Sequence, residues 1–374
     1  MELIRSEAGL EEVADALREV RLFAADTEAA GYHRYHDRIC LLQLSSRHDT
    51  FLVDTLALES LGPLADLFAS PDLEVILHDA DYDLRLLARD YGIQVGGLFD
   101  TKIAAQILGE PAIGLGALVE KHVGTRLDKK HQRADWAQRP LSSSMLEYAA
   151  EDTRHLPELR DRLKTALDAA GRLHWAEEEF GLREGTRWEP DEPDGDGYLR
   201  LKNTRDLKPR QMAALRELYN WREEVARRRD VATFRVVGNE VLTAVARGLP
   251  KSPQELARAQ GVPASIADRY GNDLLAAVGR AMTLSEAELP QRIRGPRRPP
   301  PDPALEERAE RLKRARDAAA EALGLDRGFL MPRHQLEAAA RLQPRTAEDL
   351  MQIPDMRRWQ VEALGERLLK ALWG

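Results

Sequence analysis

The chain has 374 residues, 43% of them hydrophobic and 32% charged, with a formal net charge of −8 and one cysteine. That length carries about two to three domains, and the composition excludes wholesale disorder, an intramolecular disulfide and a cysteine-cluster zinc site. No stretch approaches the length of a membrane span. The start, Met1-Glu-Leu-Ile-Arg-Ser-Glu, also has no apolar leader core, so a reducing cytoplasm is expected.

In chain order, the first strands are predicted at Leu22–Asp26, Ile39–Leu44 and Thr50–Asp54, separated by polar turns as in an antiparallel meander. Cys40 lies inside the second apolar run, where a buried, inert thiol is expected. A helix follows at Leu61–Ala69, a strand at Glu74–Leu77 and a helix from Asp81 to Tyr91 stopped by Gly92. Leu98–Asp100 reads as a short last strand before a mostly helical segment. Strands followed by βα alternation predict an α/β domain, a mixed sheet with helices on its faces. From Gly185 to Gly197 the chain turns acidic and rich in Pro and Gly, and Arg292–Pro303 is a stiff, basic, proline-rich tract. These divide the chain into a domain at 1–184, a linker at 185–198, a domain at 199–288, a linker at 289–303 and a domain at 304–374.

The chemistry concentrates in the first domain. Asp26 and Glu28, in Leu22-Phe-Ala-Ala-Asp-Thr-Glu-Ala-Ala-Gly31, are i and i+2 of a strand and stand side by side. Like charges that close repel unless a cation lies between them. Tyr148 and Asp152, in Tyr148-Ala-Ala-Glu-Asp152, are i and i+4 of a helix and share one face. The segment His78-Asp-Ala-Asp-Tyr-Asp-Leu84 supplies Asp83. Four acids and a phenol in one pocket would suit two divalent metals acting on a phosphodiester. Each has a plainer reading: an exposed strand end for Asp26 and Glu28, a core tyrosine for Tyr148. Asp79 and Asp81 fit N-caps or first-turn acids of the following helix better than ligands. Glu151 turns away from Asp152 on a helix, and His78 either lines the site or satisfies a backbone group.

The order Asp-x-Glu, Asp, Tyr-x-x-x-Asp resembles the DEDDy class of 3′→5′ exonucleases, and more closely the bacterial ribonuclease D family. The likeness extends through Leu127-Asp-Lys129, Arg133-Ala-Asp-Trp136 and Arg139-Pro-Leu141. It implies a ribonuclease-H-like exonuclease domain with Asp26, Glu28, Asp83 and Asp152 as ligands of two Mg²⁺ or Mn²⁺ ions. Tyr148 would orient the attacking water, since a phenol with a pKa near 10 is a poor base at neutral pH. Lys129, Arg133 and Trp136 fit either substrate contact or structure. In this chain Ala29 and Ala30 follow Glu28 where members of the family often carry bulkier side chains, and Asp79, Asp81 and Glu151 add acids near the pocket.

The two rear domains repeat each other at an offset of 94 residues. Ser252-Pro-Gln-Glu-Leu256 falls on Thr346-Ala-Glu-Asp-Leu350, Tyr270–Val278 on Leu364–Leu372, and Val236-Val237 on Leu330-Met331. Gapless matches of this kind indicate a duplication, and the units resemble all-α HRDC helical bundles. Charge is divided as well. Residues 200–374 hold 33 Lys+Arg against 24 Asp+Glu, a net of +9, and residues 1–199 hold 22 against 39, a net of −17. The basic half is a candidate surface for a phosphate backbone, or simply a solvated face.

The resemblance implies a monomeric 3′→5′ exoribonuclease that trims RNA with a free 3′ end, tRNA precursors first, and releases nucleoside 5′-monophosphates. A DNA exonuclease of the same class shares the site chemistry, and a non-catalytic nucleic-acid-binding adaptor would not need all four acids and the tyrosine.

Overall fold

The central strands of the sheet are buried on both faces, which is what their unbroken apolar runs dictate. The computed structural model describes residues 3–189, 196–290 and 302–374. The acidic tract 190–195 and the Pro/Arg tract 291–301 fall outside the described residues, so of the linkers expected at 185–198 and 289–303 only the ends are described. The described residues form two units, one from 3–28, 39–188 and 302–374, the other from 29–38, 189 and 196–290.

The first unit holds a six-stranded sheet of β1 (Leu3–Ile4), β2 (Leu22–Ala29), β3 (Ile39–Ser45), β4 (Thr50–Val53), β5 (Glu74–Leu77) and β6 (Leu98–Asp100), in the order β1-β4-β3-β2-β5-β6. β3 and β4 run antiparallel, whereas β2, β5 and β6 are mutually parallel neighbours and β1 lies parallel to β4. This is the mixed sheet that the strand pattern predicts, with β1 added at the edge. Two residues are too few to show a period, so β1 left no signal.

Its helices are α1 (Glu7–Arg18), α2 (Gly62–Ala69), α3 (Asp81–Tyr91), α4 (Thr101–Leu108), α5 (Leu115–His122), α6 (Ser143–Arg154), α7 (Leu156–Ala169) and α8 (Leu173–Glu184). α1 shows why they form where they do. Ser6 caps its first turn, Leu10, Val13, Ala14 and Leu17 make one buried apolar stripe, and the helix packs on α2. Gly92 takes the left-handed conformation that ends α3, as its position in the sequence predicts. Cys40 is buried in β3.

The second unit carries α9 (Pro209–Arg229), α10 (Thr233–Val236), α11 (Asn239–Gly248), α12 (Pro253–Arg258) and α13 (Ala264–Thr283). The first unit also contains α14 (Pro303–Leu323), α15 (Arg327–Leu330), α16 (Arg333–Leu342), α17 (Ala347–Leu350) and α18 (Arg358–Trp373). The 94-residue offset maps one helix set onto the other down to single hydrogen bonds. Buried Arg222 donates to the carbonyl of Val237, and buried Arg316 donates to the carbonyl of Met331. Ser252 and Thr346 cap corresponding helices, and Leu249 and Gln343 end the preceding ones in the left-handed region.

Helices α14–α18 share one hydrophobic core with α4, α5, α7 and α8. Arg172 donates to the carbonyls of Ile107 and Leu323, and the Glu178 carboxylate accepts from the backbone N–H of Arg358 and Trp359. The start of α18 is thus capped by a side chain from α8, which satisfies donors that its own flanking residue leaves open.

Candidate active site

β2 continues to Ala29, three residues beyond the Asp26 end that its apolar run predicts, so Asp26 and Glu28 both lie on regular strand and share a side. Helix α6 faces them. The Ser142 hydroxyl caps its start through the N–H of Met145. Near its end, Thr153 lies 2.7 Å from Ser45 of β3, which pins the helix to the sheet. Tyr148 and Asp152 project from α6 one turn apart. Carboxylate oxygens of Asp26, Glu28 and Asp152 lie within 4.8 Å of one another.

Asp83 enters from the first turn of α3 and is buried, with its carboxylate accepting the Thr27 hydroxyl. Asp100 builds the turn that delivers it. One buried carboxylate accepts the N–H groups of Asp79 (3.1 Å) and Ala80 (2.8 Å) ahead of α3, and of Lys102 (2.8 Å) and Ile103 (3.2 Å) at the start of α4. Neither Thr27 nor Asp100 stood out in the sequence. A lone acid at a strand end has no pattern until its four donors are seen.

The electrostatics are those of crowded, poorly solvated acids. Burial, followed by the charges of Asp83, Asp152 and Glu28, holds Asp26 well above the usual carboxylate range. Burial and the charges of Asp152 and Asp83 do the same to Glu28. Burial raises Asp83 to about 7 despite the Thr27 hydrogen bond, and Asp152 to about 7 despite the hydroxyl of Tyr148. Burial and the charges of Asp152, Glu28 and Asp26 push the Tyr148 phenol up as well. Such a cluster gains from a cation. Hard carboxylate oxygens without thiol or imidazole partners in the cluster suit Mg²⁺ or Mn²⁺ better than zinc.

The other acids near the pocket are neutralised by neighbours rather than crowding it. Asp79, in the left-handed region, pairs with Lys102 instead of capping α3. Asp81 is a first-turn acid paired with Arg85 and Arg183. Glu151 pairs with Arg154 and His155.

A cavity of about 460 Å³ opens on Asp26, Glu28, Tyr148 and Asp152 and is lined further by His78, Gly114, Lys129 and Gln132. His78 therefore lines the site, its Nδ1 2.9 Å from the Thr101 hydroxyl. Lys129 reaches the cavity. Trp136 does not: it is buried, with its ring centroid 6.0 Å from that of Tyr148, and supports the phenol from behind. Arg139 anchors this loop by donating to Asp54 and to the carbonyls of Trp136 and Cys40. A larger cavity of about 850 Å³ lies at the other end of β2 and β5. Its Arg47 and Arg160 are neutralised by Asp161 and Glu74, and among the described residues the acids that converge closely enough to hold a metal ion are Asp26, Glu28 and Asp152 of the smaller cavity.

Residues 1–168 match the 3′-5′ exonuclease family, and residues 211–278 and 306–372 each match the HRDC domain. The chain is 34% identical over 291 residues to ribonuclease D of Escherichia coli K12, covering 78% of this chain and 77% of that protein. It is 30% identical over 371 residues to ribonuclease D of Pseudomonas paraeruginosa, covering 99% and 96%. Among solved structures it is similar to E. coli RNase D, described as an exoribonuclease involved in structured RNA processing. The TM-score is 0.71 at 28% identity, over 99% of this chain and 98% of that one. The catalytic core of RRP6 from Trypanosoma brucei is 30% identical with a TM-score of 0.66, over 75% and 79%.

Proposed function

The chain belongs to the ribonuclease D family and is a 3′→5′ exoribonuclease, and from that premise we propose that Asp26, Glu28, Asp83 and Asp152 hold two divalent ions while Tyr148 orients the water that attacks the last phosphodiester. The observation that carries this reading is the convergence of Asp26, Glu28 and Asp152 within 4.8 Å, buried enough to repel one another strongly. Bound Mg²⁺ or Mn²⁺ would lower the pKa of the attacking water and neutralise charge at the leaving 3′-oxygen. The residues of the chain do the rest. Asp26 and Glu28 offer oxygens from a rigid strand, and Asp152 offers its own from a helix pinned to that sheet. Asp83 is oriented by Thr27. The Tyr148 hydroxyl donates to Asp152, and its raised pKa favours a positioning role over proton abstraction.

The substrate in this reading is RNA with a free 3′ end, tRNA precursors among the first to test, and the products are nucleoside 5′-monophosphates. Similarity over nearly full length to an enzyme of structured RNA processing supports it. The working form is a cytoplasmic monomer, with an exonuclease domain at 1–184 and HRDC domains at 199–288 and 304–374. No helix among the described residues is long and apolar enough to cross a membrane. The deciding experiment incubates the purified chain and Mn²⁺ with 5′-labelled RNA and DNA strands of one sequence. A ladder shortening from the 3′ end on RNA, absent with a blocked 3′ end, is expected. Faster shortening of DNA would overturn the substrate.

A further inference from the structure

In the second unit the segment 29–38 is packed against α9 and α10, and it carries exposed aromatic rings to that surface. Asp230, the left-handed cap of α9, accepts the backbone N–H groups of Tyr35 (3.2 Å) and His36 (3.3 Å). Ala232 donates to the carbonyl of His33, and Arg235 donates to that of Tyr32. These bonds fix a frame in which Tyr32 and Phe234 stand with ring centroids 5.3 Å apart while 45% and 51% exposed. The Arg235 guanidinium lies 5.2 Å from the Tyr32 ring and 5.7 Å from the Phe234 ring, and exposed Arg227 lies 5.2 Å from that of Tyr35.

Two large rings this exposed and held by cations have the composition of a stacking surface. Residues 29–38 and 196–290 together hold 18 Lys+Arg against 13 Asp+Glu, a net of +5 that favours a polyanion. Tyr32 follows Glu28 by four residues, a reach of at most about 14 Å for an extended chain. The bases of a duplex are already stacked on one another, so only unpaired bases can lie on such rings.

We propose that Tyr32, Phe234 and Arg235 form a platform on which unpaired bases of the RNA strand stack while its 3′ end is hydrolysed. This rests on the exoribonuclease reading and adds to it a preference for substrates with a single-stranded tail.

The test compares the full chain with Y32A/F234A and with Y32W/F234W, on a dinucleotide and on an unstructured 15-nucleotide RNA, both with Mn²⁺. Loss of one stacked base should raise KM for the 15-mer in the alanine variant by about five- to a hundredfold, and loss of two by more. Its kcat and its dinucleotide kinetics should not change, and the tryptophan variant should behave like the parent. Affinity for the same 15-mer in EDTA, read by fluorescence anisotropy, should fall in parallel. That arm needs no hydrolysis, so failure of the exoribonuclease reading would be told apart from failure of the platform. Equal affinity and equal KM in parent and alanine variant would overturn the proposal and leave the rings to a protein partner. Equal losses on dinucleotide and 15-mer would also overturn it, because the rings would then only brace the segment.

Discussion

Trp175 of α8 stacks on Trp359 of α18, with ring centroids 5.4 Å apart and planes 27° from parallel. Phe329 also stacks on Trp359, with centroids 5.6 Å apart, and the Trp359 indole N–H donates to Glu179. The second helical repeat is therefore part of the core that supports the sheet, not a tethered bead. Trp359→Ala should cost about 3–5 kcal/mol, the usual range for a large buried ring, and should lower the melting temperature of the exonuclease part along with the repeat. A chain ending at Trp188 keeps every carboxylate of the site but bares Trp175, and it should melt lower than the full chain. Equal melting temperatures for the truncated and full chains would separate the two cores.

Asp26→Asn keeps the shape of the side chain and removes one of the mutually repelling charges. It should abolish hydrolysis while raising the melting temperature of the metal-free protein at pH 8, because the remaining acids are then easier to hold ionised. Asp152→Asn should act in the same direction. Near-normal turnover by either variant at saturating Mg²⁺ would sink the ligand assignment, and a lower melting temperature would mean that the carboxylate is structural.

The same raised pKa values give a pH dependence with a definite sign. Asp83 and Asp152 titrate at about 7 in the fold against an ordinary 3.8, so between those values the folded state binds more protons than the unfolded one. Stability of the metal-free protein should then fall as pH rises from about 4 through about 7. A divalent ion offsets the charge and binds only the folded cluster, so the gain in melting temperature on adding Mn²⁺ should be larger at pH 8 than at pH 5. Thermal melts with and without Mn²⁺ at both values check this, and equal gains would count against a metal site at these acids.

Much of this was legible from residue spacing. The run Leu22–Asp26 and the pair Tyr148 and Asp152 are visible because strands and helices repeat at fixed periods, and the structure extends that strand through Glu28 to Ala29. Asp100 and Thr27 were not legible, since one residue with four backbone partners, or one hydroxyl on a buried carboxylate, carries no periodic signature. The shared core of α8 and α18 was hidden for a related reason. Two adjacent glutamates, Glu178 and Glu179, carry no mark of a distant partner, and only the fold shows that they meet the start of α18 and the indole of Trp359.

Tyr148 is the residue whose role can be separated most cleanly. Its hydroxyl donates to Asp152, while its ring is held between His131, with centroids 5.8 Å apart, and buried Trp136 at 6.0 Å. Tyr148→Phe removes the hydroxyl and leaves both ring contacts, so the fold and the Mn²⁺-induced gain in melting temperature should stay close to the parent values. Turnover should fall by about 10²–10⁴, the usual contribution of a group that orients or relays a proton at the reacting water. Because burial and the neighbouring carboxylates raise the phenol pKa, any residual activity should rise with pH no differently from the parent below pH 9. Unchanged turnover would leave Tyr148 a wall of the cavity, and a loss of the Mn²⁺-induced gain would show that the phenol instead holds Asp152 in place for the metal.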